Sequence, residues 1–408
     1  MKIALRHSGF LTRVLRSRHR WPIRLVTGVA CAGFAALTTA SPVLAAEAFR
    51  RIWNDNDFML GLRRMSWYAR RSWLGLDMSQ DPLFVFCDDL DLPALHSMAR
   101  FLERRQLATP QDLWLGDMAY VTAALAQAQA GTAGFPAAMR RFATACDALL
   151  AAMAEDPAVA GRRLGAVQRD PFSAAAAGRA LHDVQDLLRA GGVEGFVLSG
   201  TFLGLVREGD FLPHDYDLDI GVMAEACAAD ELHALLTADG RFSAAKWEIM
   251  TSFERDARGE WHIQKRPVLL KLRHQDGIMV DIFLHYREEA VIWHGSRLYR
   301  WDNSPFDLIP YRLAGGTVMG PRDADRYLTE NYGNWRVPVT SFHCAVDTPN
   351  LRLIRNPLSC AIFLRDAWVL QARDPEKAGH LLAHLAEHGV LRRQSADGWR
   401  LCLEAFPS

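Results

Sequence analysis

The chain has 408 residues, half of them hydrophobic and under a quarter charged, enough apolar material for two or three cores or one large decorated domain. Its 47 basic and 47 acidic residues cancel, which argues against a nucleic-acid binder driven by global charge. The seven cysteines are scattered without a C-x-x-C pair, which argues against a zinc knuckle or a disulfide scaffold and makes buried free thiols the default. Lys2, Lys246, Lys265, Lys271 and Lys377 are the only lysines, so most positive charge is carried by arginine, the better fork for phosphate.

Arg6, Arg13, Arg16, Arg18, Arg20 and Arg24 precede an uncharged run from Leu25 to Ala46 that ends in Ser41-Pro42-Val43-Leu44-Ala45-Ala46. Residues 1–46 therefore read as a signal peptide or a membrane anchor, with a bare amphipathic or unstructured leader as the bland alternative. Basic residues ahead of the apolar run favour an anchor with its N-terminus inside. Residues 47–165 form a mainly helical accessory region, in which the Ala-rich stretch Tyr120 to Ala154 reads as two helices broken near Gly131 to Pro136. Trp53, Phe58, Trp67, Tyr68 and Trp73 interleave with six arginines, a mixture that suits arginine stems packed on aromatics. Asp88, Asp89 and Asp91 follow an apolar Phe84–Cys87 stretch. Pro93 comes at once and no glycine turn leads in, so an acidic strand-to-helix turn is the better reading than a metal site.

A boundary is expected around Asp170-Pro171, and a catalytic domain over 166–345. Leu181, Val184, Leu187 and Leu188 form a helical stripe stopped by Gly191-Gly192. A short strand at Phe196 to Leu198, a helix to about Arg207, a turn at Gly209-Asp210 and a strand over Asp215 to Val222 follow. Val268 to Arg273 and Ile278 to Tyr286 read as a β-pair turning at Asp276-Gly277. Helix, strand, helix, then strands imply an α+β fold, a small mixed sheet with flanking helices. Residues 346–408 make a C-terminal helical region.

Chemistry concentrates in Phe211-Leu212-Pro213-His214-Asp215-Tyr216-Asp217-Leu218-Asp219-Ile220-Gly221-Val222. Side chains alternate along a strand, so Asp215, Asp217 and Asp219 share one face, while Tyr216, Leu218 and Ile220 turn to the core. Successive carboxylates on that face lie roughly 6.5–7 Å apart. Three like charges so placed raise one another's pKa and destabilise the strand unless a cation sits among them. A hard divalent cation is the natural answer, since Mg²⁺ takes one or two carboxylates plus substrate phosphate oxygens. A second strand contributes Asp281 between apolar neighbours, a costly position unless the acid binds metal or pairs with Lys271 or Arg273. Upstream, Leu198-Ser199-Gly200-Thr201, Gly204 and Arg207 place a glycine turn between strand and helix. Backbone amides there can face a phosphate, and Arg207 approaches from the same helix.

Gly200 through Ile220, Val280-Asp281-Ile282-Phe283, Pro310, Gly315-Gly316 and Arg326 through Trp335 together resemble the signature of the LicD/fukutin family, a branch of the DNA polymerase beta-like nucleotidyltransferase superfamily. The likeness spans about Leu181 to Pro338 and says nothing about the first 160 residues or the last 70. It implies transfer of a phosphorylated alcohol, such as phosphocholine or a polyol phosphate, from a CDP-linked donor to the hydroxyl of a glycan or lipid-linked glycan, with CMP leaving. Phosphoryl-type transfer is mostly positioning and charge neutralisation, which fits acids holding Mg²⁺ or Mn²⁺. In that reading Asp217, Asp219 and Asp281 are the catalytic and metal-holding residues, with Asp281 also a candidate base. Gly200, Thr201, Arg207, His214, Asp215 and Lys271 are the substrate-binding candidates. Because nucleotide-activated donors are made in the cytosol, the expected location is a membrane with the catalytic domain in the cytoplasm; export is the alternative. The rivals are a nucleotidyltransferase moving NMP from an NTP to a small acceptor, a silent glycan- or nucleotide-binding module, and an Asp-x-Asp glycosyltransferase, which the glycine turn and the third acid fit poorly. His380, His384 and His388 read as a polar stripe on a C-terminal helix. Trp293, Trp301 and Trp335 are read first as core residues and second as rings that stack on a sugar or base.

Overall fold

The computed structural model describes residues 92, 95, 96, 99, 114–155, 173–339, 342, 344, 346–371, 374–394 and 398–407. The expected leader at 1–46, the Trp/Arg-rich stretch and the acidic cluster at Asp88 to Asp91 lie outside the described residues. Among the described residues no helix is long and apolar enough to cross a membrane. The chain divides into two compact units, one comprising residues 1–166 with 360–408 and the other Val167–Ser359.

In the first unit, helices α1 (Trp114–Ala128) and α2 (Phe135–Glu155) meet at a turn in which Gly131 takes φ 79°. Helix α2 buries Phe135, Met139, Phe142, Cys146, Leu149 and Met153, spaced three or four residues apart to form one apolar stripe. Near the C-terminus, the hairpin β11 (Leu391–Arg393) and β12 (Trp399–Leu401) is tied to α2 by the Leu401 N–H, which donates to Asp147 Oδ1 at 3.1 Å.

The second unit is built on a mixed ten-stranded sheet flanked by helices, an α+β arrangement. Helix α3 (Ala174–Ala190) lays Leu181, Val184 and Leu188, all fully buried, on the sheet. It ends at Gly191, and Gly192 reverses the chain with φ 70° into β1 (Gly195–Val197). Helix α4 (Ser199–Arg207) follows at once, then β2 (Asp217–Met223) and α5 (Ala229–Thr237). A long hairpin, β3 (Phe242–Arg255) and β4 (Trp261–His274), leads through a turn at Gly277, φ 87°, into β5 (Met279–Glu288). Strands β6 (Val291–Gly295), β7 (Arg300–Asn303), β8 (Leu308–Leu313) and β9 (Gly316–Pro321) precede α6 (Ala324–Tyr332) and the short β10 (Leu351–Arg352).

The sheet runs β10-β7-β6-β5-β2-β1-β9-β8, with β4 also paired to β5 and carrying β3. Strands β2 and β5 are parallel neighbours in the middle, in the register Asp219↔Asp281. Their inward residues Leu218, Ile220, Val222, Val280 and Ile282 are all fully buried, so hydrophobic packing fixes which face carries the acids. One expectation shifts: β2 begins at Asp217, so Asp215 and Tyr216 precede the strand and escape its alternation. Tyr216 is accordingly 40% exposed instead of turned to the core. Helix α7 (Pro357–Leu370) follows β10, and α8 (Pro375–Glu387) comes after it. His384 of α8 stacks on Phe363 at 5.7 Å, and His388 lies just past the helix end, so the three histidines do not form a uniform surface stripe.

Candidate active site

The site forms where β1 hands over to α4, beside the starts of β2 and β5. Ser199, the first residue of α4, holds φ 46°, a left-handed conformation that a non-glycine residue adopts at a cost of about 1 kcal/mol or more. That sharp entry turns the backbone of Gly200 and the side chain of Thr201 toward β2. Three hydrogen bonds then fix Asp219. The Gly200 N–H donates to Asp219 Oδ2 at 3.1 Å, the Asp219 N–H donates to Thr201 Oγ1 at 2.9 Å, and the Leu198 N–H donates to the Asp219 carbonyl at 3.3 Å. Position 200 is tight: a Cβ there would sit 3.1 Å from Asp215 Oδ2, so that carboxylate would have to shift by a few tenths of an ångström, and 3.5 Å from Asp219 Oδ2, an ordinary contact.

Four carboxylates gather around this corner. Asp219 and Asp281 are register partners on adjacent parallel strands, which places them on one face about 4.8 Å apart along the sheet. Asp217 lies two residues earlier on the same face, and Asp215 reaches in from the preceding turn. Burial, then the charges of Asp217, Asp281 and Asp215, push the Asp219 carboxyl well above the usual range. Burial also raises Asp215, whose Oδ1 accepts from the Tyr216 N–H while Oδ2 is sealed from solvent without a hydrogen-bond partner. Lys271 answers the excess of negative charge on one side. It faces Asp281 across the β4–β5 pair and donates to Asp281 Oδ2. Burial works against the Lys271 ammonium, but Asp281, Glu248 and Asp217 outweigh it and hold its pKa above the ordinary lysine value. The alternative partner, Arg273, sits opposite Met279.

Three of the carboxylates, Asp215, Asp217 and Asp219, border a cleft of about 270 Å³. Ser199, Gly200 and Tyr216 line it beside these acids, and the aromatic rings of Phe283, His294, Trp301, Tyr332 and Phe342 are also part of its lining. Tyr327 and Tyr332 of α6 lie close enough for the Asp219 charge to add to burial in raising both phenols, so both remain hydroxyl donors at neutral pH.

The other sequence candidates fall in different places. Thr201 is fully buried, and its oxygen is engaged by the Asp219 backbone. Arg207 spends its guanidinium on Glu208 Oε1 at 2.7 Å and on the Trp335 carbonyl at 3.2 Å, away from the cleft lining. His214 is exposed in the turn before β2. Of the three tryptophans, only Trp301 borders the cleft; Trp293 is fully buried under Arg300, and Trp335 is buried with its indole N–H on Asp325 Oδ1 at 3.1 Å. Sequence reasoning missed Ser199, Tyr332 and His294. Ser199 carried a local signal in its place directly before the glycine turn, and Tyr332 in its place within the Arg326–Trp335 motif; His294 carried none.

The sealed acceptor oxygen on Asp215 and the mutually repelling acids are donors of the type a hard cation takes. As they stand, the acids do not converge on one point, and among the described residues no three His, Cys, Asp or Glu side chains are grouped at ligand distance. Asp281 is turned instead to Lys271.

Comparison with known proteins bears on the same segment. Residues 192–323 match the family model described as LicD/FKTN/FKRP, nucleotidyltransferase domain. The chain is 23% identical over 168 residues to the ribitol-5-phosphate transferase FKTN of Homo sapiens, covering 40% of this chain and 33% of that protein. FKTN of Macaca fascicularis matches with the same identity and the same coverage. An uncharacterized protein of Rickettsia prowazekii is 28% identical over 163 residues, 38% of this chain and 53% of its own length. The chain thus spans a third to about half the length of these relatives. The matched segment contains β1, α4, β2 and β5 with all four acids, so it is over residues 192–323 that the chain is similar to the LicD/fukutin family.

Proposed function

We propose that the chain is a metal-dependent phosphotransferase that moves a phosphorylated alcohol, such as phosphocholine or a polyol phosphate, from a CDP-linked donor to a glycan hydroxyl. The observation that carries this reading is the pairing of Asp219 with Asp281 across two parallel strands, with Asp217 and the sealed Oδ2 of Asp215 beside them. The family likeness points the same way, and the name of two relatives, ribitol-5-phosphate transferase, favours a polyol phosphate as cargo.

Asp217, Asp219 and Asp281 would hold Mg²⁺ or Mn²⁺, which supplies neutralisation of the donor's phosphate charge when bound. This chain's residues then do three things. Gly200, Thr201 and the Leu198 amide keep Asp219 in place, so no side-chain reorganisation is needed as charge builds. Lys271 holds Asp281 as a carboxylate, able to take the proton of the acceptor hydroxyl. The acceptor oxygen then forms its bond to the phosphorus that bears the alcohol, the bond to the CMP phosphate oxygen breaks, and CMP leaves. The Tyr332 hydroxyl, neutral at working pH, is a donor available at the cleft wall. The acceptor in this reading is a cell-surface or lipid-linked glycan, reached from a membrane-associated chain whose cleft lies on the cytoplasmic side.

The family model's description also names a nucleotidyltransferase, so transfer of NMP from an NTP is the second reading. Phosphorus NMR of a reaction mixture separates the two. CMP together with a new phosphodiester on the acceptor supports the transferase; pyrophosphate formed from an NTP supports the rival. Neither product, in a protein that still binds nucleotide, would sink both and leave a binding module.

A further inference from the structure

Two histidines that the transfer chemistry does not use are stacked on each other in the sheet. His285 of β5 is fully buried, His294 of β6 is 2% exposed, and their ring centroids lie 4.6 Å apart with the planes 24° from parallel. An apolar box surrounds them. Phe196 meets His285 edge-on at 4.8 Å and Phe306 at 6.4 Å, while Phe283 and Trp301 each stand 5.4 Å from His294. Gly221 of β2 leaves room for the His285 ring, since a Cβ there would lie 2.8 Å from its Cε1.

Hydrogen bonding fixes the charge state of this pair. His285 Nδ1 lies 3.1 Å from the Phe283 carbonyl, which can only accept, so Nδ1 carries the proton and Nε2 is a bare lone pair. That Nε2 is sealed from solvent without a partner, as is Nδ1 of His294. Among the described residues, the titratable group facing each imidazole is the other imidazole. Arg300 and Asp302, either side of Trp301 on β7, and Glu288 of β5 turn to the opposite face, where Arg300 pairs with both acids. Asp215, Asp217 and Asp219 border the cleft with His294, yet no carboxylate among the described residues acts on either ring. A charge on one ring would have nothing to answer it, and charges on both would repel at close range. Burial accordingly pushes His285 down to about 3, and burial with the neighbouring ring holds His294 well below the ordinary histidine value.

We propose that the His285–His294 stack is an acid-sensitive lock of the unit that carries the cleft. Neutral, it holds together β5, β6 and β7, which supply Phe283, His294 and Trp301 to the cleft lining. As pH falls through the ordinary histidine range, the rings can take up protons only by leaving their box. Strand β5 also carries Asp281, so opening here parts an acid-bearing strand from the aromatic wall. The lock operates whatever the cleft transfers. Both folded pKa values lie below the unfolded one of about 6.5, so the stability these rings contribute is present above that pH and lost below it. Between pH 7.5 and 5, a ring that stays neutral in the fold lowers the folding constant about thirtyfold, and the pair about a thousandfold.

The test is denaturant titration of the full chain in EDTA at pH 7.5 and pH 5, for wild type, His285→Phe and His294→Phe. Asp219 and the remaining acids and histidines titrate alike in all three proteins, so the comparison isolates the ring removed. Between the two pH values each folded variant should lose about thirtyfold less of its folding constant than the wild type loses. If neither variant folds, NMR of histidine-labelled wild type decides: at least two imidazole signals should stay neutral at pH 5.5 in the folded chain. A folded variant that keeps the full pH loss of the wild type, or a folded wild type whose imidazoles are all protonated at pH 5.5, overturns the lock.

Discussion

Replacing Lys271 with methionine strands the carboxylate of Asp281. Asp281 is 5% exposed, and Lys271 donates to its Oδ2 from the neighbouring strand. Removing one partner of such a pair leaves a charge with neither water nor counter-ion, at a cost of about 3 kcal/mol, toward the low end of the range because the Lys271 side chain is itself 30% exposed. In a unit of this size each kcal/mol lowers the melting temperature by about 2–4 °C, so Lys271→Met should melt about 6–12 °C below the wild type. Asp281→Asn should cost less, because Lys271 can turn toward water. The double variant should recover most of the loss, since no ion is left buried. The assay is thermal melting of the wild type, both single variants and the double variant in metal-free buffer. A loss under about 0.5 kcal/mol for Lys271→Met, or a double variant no better than it, would refute the claim that this lysine holds Asp281 ionised.

Three further outcomes follow from the same corner. Asp219 is raised by burial and by Asp217, Asp281 and Asp215, so its folded pKa lies above its unfolded one; the stability it contributes is present in acid and lost as pH rises from about 4 through the folded value. Asp219→Asn should consequently melt higher than the wild type at pH 8 in EDTA, show a flatter melting profile with pH, and lose the stabilisation that added Mg²⁺ gives the wild type; a lower melting temperature at pH 8 would contradict this. Thr201→Val leaves the buried Asp219 N–H without its acceptor and should cost about 1–3 kcal/mol in a denaturant titration. Gly200→Ala puts a methyl against Asp215 Oδ2 and Asp219 Oδ2 while suiting the helix, so turnover should fall at least tenfold with a change in melting temperature under about 3 °C; unchanged turnover would show that the acids tolerate displacement.

The carboxylate end was legible because two simple signals converge. Asp217 and Asp219 alternate with buried residues on β2, and Asp281 interrupts an apolar strand; both statements depend only on period and neighbours. What was not legible depends on register and on distant chain. Whether Asp281 meets Lys271 or Arg273 is decided by the β4–β5 register, which a one-residue slip would change. Asp215 joins the cluster from a turn, not from the strand face, because β2 starts two residues later than the alternating pattern suggests. Arg207 donates to Glu208 and to the Trp335 carbonyl, and nothing local to Arg207 announces a partner 128 residues away. His294 and Trp301 come from β6 and β7, strands outside the motif that the sheet order brings to the same cleft as the acids.

The central claim is that these acids serve transfer from a CDP-linked donor, and CMP release tests it most directly. Wild type and Asp219→Ala would be compared with CDP-choline, CDP-glycerol and CDP-ribitol in the presence and absence of Mg²⁺. The account predicts Mg²⁺-dependent CMP release from at least one donor by the wild type and none by the variant. CMP release that persists in Asp219→Ala, or is indifferent to Mg²⁺, would contradict it.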